Sequence, residues 1–282
     1  EPLYDSYLPV LHRAGAVPKL VRVAPPDWRL DRAALAAAFG PKTKAILLNN
    51  PMNPAARVFT RDELTFIAEL VVRHDAYAIC DEVYEHILFD RRQHVPLMTL
   101  PGMRDRAIRI GSAGKTFSLT GWKVGYVTAS ARLLDPITKA HQFTTFTTPP
   151  NLQRAVAYGL AKDDGYYAAL AGDLERKRDR FAAGLANLGF DVLPCAATYF
   201  ITADASRLRL NADDVELCTR MTVEAGGPPP SHAPRLPTQI VPEPDDDILD
   251  EVEEEEEFEA TEDRAERGDR GDRGEGEGSR RR

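Results

Sequence analysis

The sequence of 282 residues holds only three cysteines, Cys80, Cys195 and Cys218, odd in number and widely spaced. It has no CxxC pair and no Cys/His cluster, which excludes the spacing of a zinc module; a reducing compartment, the cytoplasm, is the simplest context. The six histidines never take the HExxH arrangement of a zinc protease, so no metal site is expected. No apolar run approaches the ~20 residues that cross a bilayer, and no signal peptide opens the chain. An initiating Met is missing as well, and the abrupt start at Glu1 leads us to expect an absent beginning. A basic excess is also lacking. Lys and Arg number 36 against 44 Asp and Glu, and the imbalance is local. Between Glu243 and Arg282 stand 19 acidic and 7 basic residues, a net of −12, which leaves +4 on residues 1–242. A body so near neutrality argues against a nucleic-acid surface built on bulk charge. One glycine is missing where it would matter. The stretch GSAGKTFSLTGWKVGY (111–126) contains Gly-Lys-Thr, yet the phosphate-loop glycine required five residues earlier is Arg109. Lys115 is therefore not a phosphate-loop lysine.

What is present reads as alternating α/β structure. Short apolar runs at 44–49 (KAILLN), 76–80 (AYAIC), 107–112 (AIRIGS) and 123–129 (KVGYVTA) predict four strands. Thr60-Arg-Asp-Glu63 is a capping box that opens a helix through about His74, with Leu64, Ile67, Ala68 and Val71 on one face. Strand, helix and strand in that order predict a parallel pair, and ligands in such sheets sit beyond the carboxyl ends of the strands. That rule gathers Asn49–Asn53, Asp81 and Ser112–Lys115 on one rim. Cys80 reads as a small packed hydrophobe in its strand. Downstream, apolar residues at steps of three, four and seven predict a long helix over 166–188, closed by Gly189. A strand pair near 190–194 and 198–203 and a helix over 212–225 follow. After Gly226 come a Pro-rich segment, an acidic run and an Arg/Gly/acid repeat, whose composition predicts a disordered tail over 227–282. The RGD triplets inside that repeat read as incidental.

Asp81, Tyr84, Asn53, Ser112 and Lys115 each have an ordinary structural reading. The carboxylate can cap a helix, the tyrosine can pack, NNPMNP (49–54) and Ser112 can be turns, and the lysine can be a solvated side chain. Their convergence on one rim favours chemistry. NNPMNP, CDEVYEHILF (80–89) and GSAGKTFSLTGWKVGY, in this order, resemble the class I and II aminotransferases of fold type I, which use pyridoxal 5′-phosphate (PLP). The likeness covers about residues 1–226, begins with EPLYDSY, and looks closest to the kynurenine/glutamine/methionine branch. The resemblance implies a partial large PLP-binding domain (1–165) built on a mostly parallel sheet flanked by helices. An interdomain helix and the start of a small α+β domain would follow (166–226). It implies Lys115 as the Schiff-base lysine that moves the substrate proton, with PLP as the electron sink. It also implies Asp81 on the pyridine nitrogen, Tyr84 and Asn53 on the ring oxygen, and Ser112 on the phosphate. Many relatives carry an arginine eight residues after the lysine; Lys123 stands there, keeping the charge without the bidentate fork.

The same resemblance predicts an amino acid and a 2-oxo acid as small-molecule partners, a homodimer in intact relatives, and neither nucleic acid nor membrane. Three readings stay open: transamination, β-elimination from cysteine S-conjugates, and a non-catalytic PLP-binding remnant. The usual Asn-Pro-Thr-Gly reads Asn53-Pro54-Ala55-Ala56. The family's earlier residues, with their Gly-rich phosphate turn and ring-stacking aromatic, are unmatched. So is the arginine for the substrate carboxylate, since Arg207, Arg209 and Arg220 fall too early in the pattern. A chain truncated at both ends and impaired in turnover is the resulting expectation.

Overall fold

The computed structural model describes residues 1–208 and 213–225. The chain divides at Arg209/Leu210 into two compact units. The predicted tail over 227–282 lies outside the described residues.

In the first unit, helix α1 (Tyr7–Arg13) precedes the short antiparallel pair β1 (Val23–Ala24) and β2 (Arg29–Leu30) and helix α2 (Arg32–Ala38). Strand β3 (Ala45–Asn49), helix α3 (Arg61–Arg73) and strand β4 (Tyr77–Asp81) then form the expected unit, and β3 pairs parallel with β4. The capping box is present. Thr60 Oγ1 accepts from the Glu63 amide, and Glu63 Oε2 accepts from the Thr60 amide at 2.9 Å. Leu64, Ile67, Ala68, Leu70 and Val71 bury one face of α3 in the same core cluster as Ala78 and Cys80 of β4. Burial of each large aliphatic side chain stabilises the fold by about 1.5–3 kcal/mol.

Strand β5 (Ala107–Ser112) pairs parallel with β4, and the one-turn helix α4 (Ala113–Thr116) follows it directly. Strand β6 (Gly125–Thr128) closes the sheet antiparallel to β5, giving the order β3-β4-β5-β6. A short connection through α4 leaves no room for a crossover, so the chain can only return beside β5 in the opposite direction. Helices α5 (Ala131–Thr144), α6 (Pro150–Leu160) and α7 (Asp164–Asn187) come next. Gly189, at φ +92°, ends α7 where the sequence places its stop. The following strands are shorter than expected: β7 is Asp191–Val192 and β8 is Ala203–Asp204. Residues 196–198 do not join this pair. They turn instead onto residues 87–89, where Phe89 N–H donates to Ala196 O (3.0 Å) and Thr198 N–H to Ile87 O (3.0 Å). In the second unit, helix α8 (Asp214–Ala225) matches the expected helix.

Candidate active site

Register places the site. Asn49 lies opposite Asp81, Asp81 opposite Ile110, and Ser112 opposite Gly125, so the carboxyl ends of β3, β4 and β5 share one rim. Asp81 ends β4 without starting a helix, which removes the capping reading. Its Oδ1 accepts from Val83 N–H at 3.3 Å, and its Oδ2 accepts from the Tyr7 hydroxyl at 2.5 Å. Burial pushes the Asp81 carboxyl up. The Tyr7 bond, the Val83 amide and the charge of Lys115 act the other way, and neighbouring Glu82 adds to the rise. The Tyr7 phenol is driven far above its ordinary range, first by burial and then by the Asp81 charge.

Lys115 sits on α4, whose N-cap is Ser112; Ser112 Oγ accepts from Gly114 N–H at 3.2 Å. A Cβ on Gly114 would come within 3.0 Å of Thr120 Cα, so the turn and the 118–122 loop pack backbone to backbone there. The Lys115 Nζ donates to the Tyr199 hydroxyl at 2.7 Å and stands 5.8 Å and 5.4 Å from the ring centroids of Tyr84 and Tyr199. Tyr84 is buried, meets Tyr199 edge to face at 5.3 Å, and donates to its oxygen at 3.5 Å. Burial and that bond drive the Tyr84 phenol well above its usual range.

The Asn-Pro turn is tied to the same strand end. Asn49 Nδ2 donates to Asp81 O (3.0 Å), and Asn53 N–H donates to Asn49 Oδ1 (2.6 Å). Ala56, in the glycine place of the motif, is left-handed at φ +51°. Glycine adopts that conformation freely, whereas an L residue pays roughly 1–2 kcal/mol. Lys123 is exposed and also left-handed (φ +54°), closing the turn before β6. The structure thus brings Lys115, Asp81 and Tyr84 together and sets Asn53 and Ser112 on the same rim. Among the described residues no hydrogen bond or ion pair links Lys123 to them.

Tyr7 and Tyr199, absent from the sequence expectations, make the direct contacts to Asp81 and Lys115. Only the position of Tyr7 inside EPLYDSY hinted at a role. Also missed was a buried charge cluster behind the rim. Glu82, 2% exposed, accepts from Arg109 Nε (2.8 Å) and Leu97 N–H (3.3 Å), and its Oε2 lies 2.9 Å from His94 Nε2. Arg109 pairs with Glu85 as well, and Glu85 accepts from the Tyr126 hydroxyl at 3.1 Å. The residue that spoils the phosphate-loop pattern is therefore a partner of a buried acid.

The matching family model is the one described as aminotransferase class I and II, over residues 1–226. The chain belongs to the class I and II aminotransferases. It is 40% identical over 228 residues to a probable N-succinyldiaminopimelate aminotransferase of Mycobacterium tuberculosis, covering 80% of this chain and 57% of that protein. It is 37% identical over 226 residues to the methionine aminotransferase of Escherichia coli, covering 80% and 58%. With kynurenine–oxoglutarate transaminase 3 of Mus musculus the identity is 41% over 231 residues, covering 76% and 51%. The solved N-succinyldiaminopimelate aminotransferase superposes with a TM-score of 0.76 at 40% identity, over 80% of this chain and 59% of that one. The chain thus spans a little over half the length of these relatives, and the mostly parallel sheet flanked by helices is their fold.

Family membership implies PLP, and the residues present suit it. Among the described residues, neither Asp81 nor Lys115 has an ion-pair partner, and no ion pair joins them, yet the lysine lies near enough to stabilise the carboxylate. A half-buried acid and an amine left unpaired on one rim match a group bearing a ring N–H and an aldehyde. The hydroxyl of Ser112 and the ammonium of Lys123 match a phosphate in chemical type. Among the described residues, no helix is long and apolar enough to cross a membrane.

Proposed function

We propose that this chain carries the cofactor half of an aminotransferase site, moving an amino group between an amino acid and a 2-oxo acid. The observation that carries the reading is the unpaired Asp81 carboxylate and Lys115 amine on one strand rim. PLP, when bound, supplies the electron sink for the carbanion formed at the substrate's Cα. Asp81, as a carboxylate, would accept the ring N–H and keep that nitrogen protonated. Lys115 would supply the amine that holds the aldehyde group, with loss of water, and would later hold the proton removed from the substrate's Cα. Tyr84 and Asn53 would donate to the ring oxygen, while Ser112 and Lys123 would bind the phosphate through a hydroxyl and a point charge. The amino acid and the 2-oxo acid are the small-molecule partners. The working form is read as a cytoplasmic homodimer, an expectation drawn from the family.

The test is to incubate the purified chain with PLP, reduce with borohydride, and map the pyridoxyl group by mass spectrometry. A single adduct on Lys115 is expected. Scattered or absent labelling, with a full-length relative as control, would overturn the assignment. Amino transfer that depends on added 2-oxo acid, without release of pyruvate and ammonia from cysteine conjugates, is the expected reaction outcome.

A further inference from the structure

Tyr199 reaches the site from a segment that neither the strands nor the recognised motifs provide. Residues 193–202 run as a strap across the 54–56 turn and the 87–89 segment. Ala196 N–H donates to Ala56 O at 2.8 Å, Leu193 N–H to Thr202 O at 2.9 Å, and the Thr202 hydroxyl to Pro54 O at 3.3 Å. At the bend stands Thr198, fully buried and left-handed at φ +68°. A β-branched residue is a genuine outlier in that region and persists only where its surroundings over-determine it. Here its amide is bonded to Ile87 O, and its Oγ1 accepts from Phe200 N–H at 3.1 Å. The outcome of that bend is the placement of the next side chain. The Tyr199 hydroxyl meets Lys115 Nζ at 2.7 Å, although the residue remains 46% exposed.

We propose that Tyr199 is a positioning residue for Lys115, and that the strained strap holds the amine at the rim through the Tyr199 hydroxyl until the site is used. The proposal rests on Lys115 being the nucleophile, as read above. The phenol oxygen accepts from the Lys115 nitrogen and from Tyr84, and the centroid of the Tyr84 ring lies 5.8 Å from the same nitrogen. That bond engages the nitrogen, so Tyr199 guards the nucleophile as well as placing it. The docking of 196–198 on Ala56 and Ile87 ties that placement to the Asn-Pro turn.

The test needs no cofactor. The full chain is treated at neutral pH with limiting acetic anhydride, and acetylation of Lys115 relative to the exposed Lys42 is read by mass spectrometry. In the native chain the Lys115:Lys42 ratio should lie below one. Tyr199→Phe keeps the ring and removes the oxygen; the ratio should rise about twofold, the ordinary worth of an exposed contact between polar side chains. Tyr199→His, which restores an acceptor, should return most of the protection. An unchanged ratio in Tyr199→Phe, or an equal rise in both variants, overturns the proposal. If Tyr199→Phe fails to fold, a native ratio at or above one overturns it alone. A changed acetylation ratio without a PLP adduct would sink the cofactor reading and leave the Tyr199 contact standing. An adduct on Lys115 with an unchanged ratio would do the reverse.

Discussion

Asp81 and Glu82 are neighbours in sequence and opposites in situation. Successive side chains at a strand end point to opposite faces. Asp81 turns to the rim, where its oxygens meet a phenol and one amide and no cation pairs with it among the described residues. Glu82 turns inward, where Arg109, His94 and the Leu97 amide surround it. One face has its charges matched and the other holds an acid and an amine unmatched. Matched charge supports the fold; unmatched charge costs stability and is kept where a ligand will complete it.

The largest effect should come from breaking the matched side. Glu82→Ala leaves the part-buried Arg109 without one of its two carboxylates and the buried His94 without its partner, and a loss of about 3 kcal/mol in urea unfolding is expected. A loss below about 1 kcal/mol would mean that Glu85 alone satisfies Arg109 and that the contrast between the faces is overstated. Next comes a change away from both faces. Thr60→Ala removes one half of the α3 capping box and should cost about 1 kcal/mol, which calibrates what an ordinary local contact is worth here.

Changes on the unmatched side should behave differently. Asp81→Asn should stabilise the cofactor-free chain at neutral pH while weakening PLP binding in a fluorescence titration. The sign follows from the raised carboxyl. A group protonated more readily when folded incurs no penalty at low pH, and its penalty appears as pH rises through the folded value. The advantage of the Asn variant should therefore shrink on acidification; an advantage that persists in acid would show that burial of charge is not its cause. Smallest in stability is Lys115→Ala, expected to shift unfolding by less than about 0.5 kcal/mol because its contacts are part-exposed. The same substitution should abolish the mapped pyridoxyl adduct. Large destabilisation by Lys115→Ala would erase the distinction between the two faces.

Much of this arrangement was legible in the chain. Strands β3, β4 and β5 stand out as short apolar runs, and α3 is announced by its capping box and its apolar face. The parallel pairing of β3 and β4 follows from the helix between them, and with it the shared rim of Asn49, Asp81 and Ser112. The reversed direction of β6 was not legible as a run of residues, because direction depends on how the chain can return. Nor was the exchange at 196–198, where pairing with 87–89 displaces the longer strand expected at 198–203. Local propensity is silent on which of two distant partners an extended segment will choose.

By itself the sequence determined the four strands of the sheet, helices α3, α7 and α8, the spacing that sets Lys115 and Asp81 on one rim, and the family to which residues 1–226 belong. These rest on periodicity, caps and contiguous motifs, all encoded within a few residues of one another. Only the tertiary structure decided what touches those two groups. Tyr7 reaches Asp81 across 74 residues and Tyr199 reaches Lys115 across 84. The pairing of Arg109 with Glu82 likewise spans 27. Contacts of that kind are selected by packing and by burial of polar groups that must find a partner, and a lone tyrosine or arginine carries no local mark of the partner it will find.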